Sequence, residues 1–143
     1  MVIFDSPNAR TKIAEATGTI AVPGVHRCIS THDKHGNILG GVLFTDYTGS
    51  SVQLHTAGFA KNWLSRPLLY CVFDYTFELL AVRKAFTIVE KSNVKALDLS
   101  RHLGFKERVE ISDWFPSGPA VISEMTKDEC KYMLPNRVIR KAR

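Results

Sequence analysis

The chain has few cysteines: Cys28, Cys71 and Cys130 are the only three, and no two of them form a Cys-x-x-Cys pair. An odd, scattered set of this kind argues against a disulfide framework and for a reducing compartment. Long uncharged apolar runs are also missing. The richest region, Pro67 to Val82, is interrupted by Asp74 and Glu78 and is too short and too charged to span a membrane. The first twenty residues carry Asp5, Arg10, Lys12 and Glu15 and contain no apolar core of signal-peptide length, so no export is expected. The predicted location is therefore the cytoplasm, that of the host if the source is viral. Neither a repeat nor a Pro/Gly/Ser-rich linker divides the chain, which predicts one domain over 1–134 and a basic tail over 135–143.

What is present is an ordinary globular balance, 45% hydrophobic and 23% charged, and this excludes disordered and fibrous classes. The net charge is +5, and Arg137, Arg140, Lys141 and Arg143 concentrate it at the end of the chain. Such a tail reads either as a solvated terminus or as a lure for nucleic acid or an acidic protein partner. His26, Cys28, His32 and His35 have the composition of a metal cluster, but their spacing matches no common zinc pattern, and no metal site is expected.

Turn and capping signals order the chain. Ser6, Pro7 and Gly18 frame a short first helix as N-cap, first helical residue and terminator. "GVHRCIST", "ILGGVLFTDYTG" and "SSVQLHTAGF" are apolar and β-branched runs separated by polar, Gly-containing turns, which predicts an antiparallel meander. "SRPLLYCVFDYTFELLAV" is too long for a strand and reads as a helix apolar on many sides. "KAFTIVEK" shows almost no alternation, the pattern of a strand buried on both faces. Next, Ser92 or Asn93 caps a helix that places Ala96, Leu99 and Leu103 on one face and Lys95, Asp98 and His102 on the other; Gly104 and Phe105 stop it. "KERVEISDWF" and "AVISEM" form a closing hairpin around "PSGP", with a short helical piece after it. The expected fold is α/β (α+β), a mixed, largely antiparallel central sheet with helices on both faces.

This order, with "NVKALDLSRHLGF", resembles the GNAT superfamily of acyl-CoA-dependent N-acetyltransferases, in which the helix after the fifth strand carries Asn, Ala or Ser and Leu-Gly-Phe. The ending "ISEMTKDECKYML" resembles small phage-encoded members. The likeness runs from about Gly24 to Leu134, with its specific part in the residues from Asn93 to Phe105. It implies an enzyme that transfers acetyl from acetyl-CoA to an amine, with the pantetheine arm lying between "SVQLHTAGF" and "AFTIVEK" like an added strand. Asn93 and Ala96 would wall that arm, although a plain N-cap explains Asn93 equally well. Ala57, Gly58 or Phe59 would offer an oxyanion amide, and Gly58 would permit the bulge that frees it. Lys61, Ser65 and Arg66 would face the diphosphate.

Two positions depart from the family. The connection "FAKNWLSRPLLY" has no glycine after Gly58, whereas the family's diphosphate loop is Gly-rich, and Pro67 removes a helix N-terminal donor. Ser100 falls where many members place a Tyr that protonates the departing thiolate, and it also reads as an ordinary boundary residue. His55 is the candidate base because imidazole titrates near neutral pH, with Asp46, Tyr47 and Glu90 as alternatives; a half-buried strand histidine without a role is the competing reading. Trp63, Trp114 and Phe115 read as cover for the core or the cofactor mouth, or as base-stacking groups. A second class of function is a GNAT-fold binding protein that has lost its chemistry, for example a phage factor docking on a host protein or nucleic acid.

Overall fold

The structure, a computed structural model, describes residues 1–134, so the basic tail lies outside the described residues. In chain order the elements are β1 (Val2–Phe4), α1 (Pro7–Thr17), β2 (Arg27–His32), β3 (Ile38–Thr45) and β4 (Ser51–Gly58), then α2 (Arg66–Asp74), β5 (Lys84–Glu90), α3 (Val94–Leu103), β6 (Lys106–Phe115) and β7 (Gly118–Thr126). The strands form one seven-stranded sheet in the order β1-β2-β3-β4-β5-β7-β6. Only the β4–β5 pair is parallel, so the sheet is mixed and largely antiparallel as the sequence predicts.

β1 is absent from the sequence reading because three residues are too short to display alternation. It pairs with β2 and leads into Asp5, whose positive φ of 58° turns the chain toward α1. The Asp5 carboxylate clamps that corner, meeting Arg10 at 2.6 Å and Arg27 at 2.7 Å. α1 starts and stops as its sequence dictates: Ser6 Oγ accepts the Ala9 N–H, Pro7 opens the first turn, and Gly18 adopts φ +65°. The helix buries Ala9, Ile13 and Ala14 against Cys28 and Leu43.

Strand alternation puts Leu43 on the α1 face of β3 and Val42 and Phe44 on the other. That second face holds the larger core, where Val52, Leu54, Leu68, Val72, Phe73, Ala85, Leu103 and Met125 meet beneath α2 and α3. α2 is shorter than its apolar run suggests. Past Asp74 it widens into a π-helical turn, Tyr75–Leu79, and Ala81 at φ +53° ends it. The turn directs the Tyr75 ring edge-on to Phe44 and Phe4, at 4.9 and 5.2 Å between centroids.

Two further expectations are corrected. β5 is not buried on both faces: Ala85 and Thr87 are buried, while Phe86, Ile88, Val89 and Glu90 are only half-buried. Ala85 turns into the core and Thr87 to Ser100 of α3, while the Glu90 end of the strand lines a cleft. In α3 the buried stripe is Leu97, Ser100 and Leu103, with Ala96 and Leu99 half-buried beside it. The spacing of apolar residues misplaced the buried stripe, not the helix, by about one residue because the inner face includes a serine.

Candidate active site

β4 and β5 are paired only where Ser51, Val52 and Gln53 face Lys84, Ala85 and Phe86. Beyond Gln53 the strands diverge, β4 staying with β3 and β5 with β7. Because β4 continues to Gly58 and β5 to Glu90, a wedge opens in the sheet. α3 forms one wall of it and the end of α1 the other. The resulting cavity, about 270 Å³, is lined by residues that include Thr17, His55, Thr56, Ile88, Glu90, Asn93, Ala96, Leu99, Ser100 and Phe115.

Register decides which β4 amides face the wedge. The Phe59 N–H donates to Leu39 O at 2.8 Å, and Gly41 pairs with Ala57. Both edges of a strand residue point the same way, and they alternate along the strand. Phe59, Ala57 and His55 therefore turn their amides to β3, whereas Gly58, Thr56 and Leu54 turn theirs into the wedge. Of the three predicted oxyanion positions only Gly58 presents its N–H there. It does so without a bulge, since the β3–β4 register is unbroken from Gly40 to Thr45. The glycine serves another purpose: a Cβ on Gly58 would collide with the Trp63 indole, and one on Gly40 would come within 2.6 Å of it. Trp63 thus lies flat on two glycines and pins the β4–α2 connection. Phe59 is held elsewhere, beneath Lys12 Nζ at 4.5 Å.

Lys61 and Ser65 lie in that connection and Arg66 opens α2, all outside the cavity. Ser65 Oγ accepts the Leu68 N–H at 3.3 Å, Ser65 O accepts that of Leu69, and Pro67 has none. Among the described residues only the Arg66 amide of this first turn is left for an external anion. Lys61 and Arg66 are both exposed.

At the other end of the wedge, Asn93 Oδ1 accepts the Ala96 N–H at 3.1 Å, and Gly104 stops α3 at φ +107°. Ser100 is buried on the cavity floor, its Oγ 3.3 Å from Thr87 Oγ1. The predicted residues His55, Asn93, Ala96 and Ser100 are thus brought around one cavity.

His55 is held on both ring nitrogens. Nδ1 is 3.2 Å from Thr19 Oγ1 and Nε2 is 2.6 Å from Thr45 Oγ1. Burial and the nearby His26 push its pKa down to about 4, against an opposing pull from Asp46, so the ring is neutral at pH 7. His26, Cys28 and His32 make separate contacts, with the Val22 N–H, Ser6 O and Ser30 Oγ respectively. Sequence reasoning missed Thr19, Thr45, Thr56 and Thr87; a threonine in a strand, or in the connection after α1 as Thr19 is, carries no local signal, and only tertiary placement gathers them.

The chain superposes on solved structures of the spermidine N-acetyltransferase SpeG from Vibrio cholerae. Its complex with manganese ions aligns with a TM-score of 0.69 and 14% identity, over 100% of this chain and 96% of that one. A mutant form gives 0.70 and 15% over 90% and 95%. The fold is the GNAT fold. A chimera of SpeG with hSSAT agrees, at 0.67 and 17% over 92% and 98%. No family model and no curated protein matches the chain. These neighbours lend no support to a phage-type chain or to an acidic or nucleic-acid partner.

Proposed function

We propose that the protein is an acetyl-CoA-dependent N-acetyltransferase acting on an amine by direct attack on the thioester. The observation that carries this reading is the parallel β4–β5 pair, which opens after Gln53 into a cavity with unpaired β4 amides on one side and α3 on the other. An extended chain of amides and methylenes fits such a slot: the N–H and C=O groups of Thr56 and Gly58, which face away from β3 beyond the last β4–β5 pair, take the amides, and Ala96 and Leu99 take the methylenes. The diphosphate end fits less closely, with Lys61, Arg66 and the Arg66 amide as its partners.

When bound, acetyl-CoA supplies an activated acetyl thioester. The Gly58 or Thr56 N–H, aimed into the wedge, stabilises the charge that develops on its carbonyl oxygen. His55 is unprotonated at pH 7 and can accept a proton from the attacking amine, as a base weakened by its burial. Ser100 replaces the Tyr of other members with a weaker donor, and a thiol of ordinary pKa near 8.5 leaves adequately without strong acid help. Among the described residues Glu90 is the one carboxylate lining the cavity, which favours an acceptor with a single amine over a polyamine such as the neighbours' spermidine.

Thiol release from acetyl-CoA, followed across a panel of primary amines, tests this reading. His55→Ala is expected to lower turnover by about a hundredfold, in the range of general-base catalysis, and Ser100→Ala by less than about tenfold. Unchanged turnover in His55→Ala would remove the base assignment. A second reading, a GNAT-fold binder without chemistry, is favoured by the closed first turn of α2, where Ser65 and Pro67 occupy the positions an anion needs. It predicts no thiol release with any amine.

A further inference from the structure

The hydrogen bonds around His55 extend one step further than the ring. Thr45 Oγ1, which touches Nε2 at 2.6 Å, also donates to Asp46 Oδ2 at 3.2 Å. A threonine hydroxyl has one hydrogen, and an ionised carboxylate can only accept. With that hydrogen directed to Asp46, Thr45 Oγ1 must accept from the imidazole, so Nε2 carries the proton. Nδ1 is then the bare nitrogen, and the Thr19 hydroxyl 3.2 Å away is its donor in preference to its longer contact with Thr17 O at 3.4 Å.

From this geometry we infer that Thr45 and Asp46 are positioning residues: they hold His55 in the Nε2–H form, leave Nδ1 as the accepting atom, and stabilise the imidazolium once Nδ1 takes a proton by way of the Thr19 hydroxyl that hydrogen-bonds it. The catalytic part of this inference rests on the proposed transferase reading; the tautomer part does not. The arrangement follows the logic of a base oriented by a carboxylate, here with a hydroxyl interposed. Asp46 is suited to the task by its place. It lies just past the end of β3 at φ +55°, a conformation Asp tolerates, and it is exposed while Thr45 and His55 are shielded. The other charged or titratable groups facing His55 are His26, before β2, and Glu90, across the wedge. Neither is hydrogen-bonded to the ring. The sequence shows Thr45 and Asp46 only as a strand end; their role comes from the register, which sets Leu43 opposite His55 and Thr45 diagonal to it on the same face.

Nitrogen-15 long-range NMR of histidine-labelled protein at pH 7 tests the inference without any substrate. Wild type is expected to show His55 as Nε2–H. In Asp46→Ala the Thr45 hydroxyl is freed to donate to Nε2, and the signal should move to Nδ1–H or to a mixture. Asp46→Asn, which keeps the backbone preference, should weaken the bias and lower the His55 titration midpoint. Its turnover should fall about tenfold while acetyl-CoA affinity stays unchanged. An Nδ1–H ring in wild type, or an unaltered ring in both Asp46 variants, overturns the tautomer assignment. Full turnover in Asp46→Asn overturns the catalytic part. Failure of acetyl-CoA to bind instead removes the transferase reading and leaves the tautomer result standing.

Discussion

His55 concentrates the chemistry of a single residue. In the unfolded chain it takes a proton near pH 6.5, and in the folded chain only near 4. Folding therefore expels a proton between these values. The penalty is absent above about pH 6.5, grows as pH falls, and reaches its full size below about 4. At pH 5 it amounts to about 2 kcal/mol, at 1.36 kcal/mol per pH unit. His55→Gln cannot ionise, so it should lose about 2 kcal/mol less stability than wild type between pH 7 and 5, measured by urea unfolding. Equal acid loss in the two proteins would mean that the folded ring titrates normally. The position of His55 on a strand was legible in the sequence; its double clamp was not, because Thr19 and Thr45 reach it through tertiary placement.

At the scale of elements, local chemistry was readable and long-range partnership was not. The caps at Ser6 and Asn93 and the stops at Gly18 and Gly104 are all where the sequence puts them, since each depends on residues three or four positions away. Asn93→Ala should cost about 1 kcal/mol of stability through the lost cap and loosen the wall of the wedge. β1, the π-helical turn and the early divergence of β5 depend on partners far along the chain. The glycines show the same limit. Gly58 looked like a bulge former and is instead a seat for Trp63. Gly58→Ala should displace the indole, shift its fluorescence to the red and destabilise by about 1–3 kcal/mol, as overpacking does. Combined with Trp63→Ala, the two losses should be less than additive, because one clash underlies both. Full additivity would show that the two side chains do not share a site.

For the molecule as a whole, the mixed sheet with helices on both faces was legible from the order of patterns, and the resemblance in "NVKALDLSRHLGF" pointed to the same fold that the superpositions show. What a cofactor would find there is divided: an open slot along β4, and a helix N-terminus largely closed by Ser65 and Pro67. The affinity for the phosphate end should then rest on Lys61 and Arg66 more than on backbone amides, and it should weaken with salt. A calorimetric titration with acetyl-CoA, with CoA alongside and at two salt concentrations, tests the proposed function most directly. The proposal predicts saturable one-site binding at micromolar affinity, reduced by salt and by Arg66→Ala. An absence of binding at millimolar acetyl-CoA would contradict it and leave a GNAT-fold binding protein in its place.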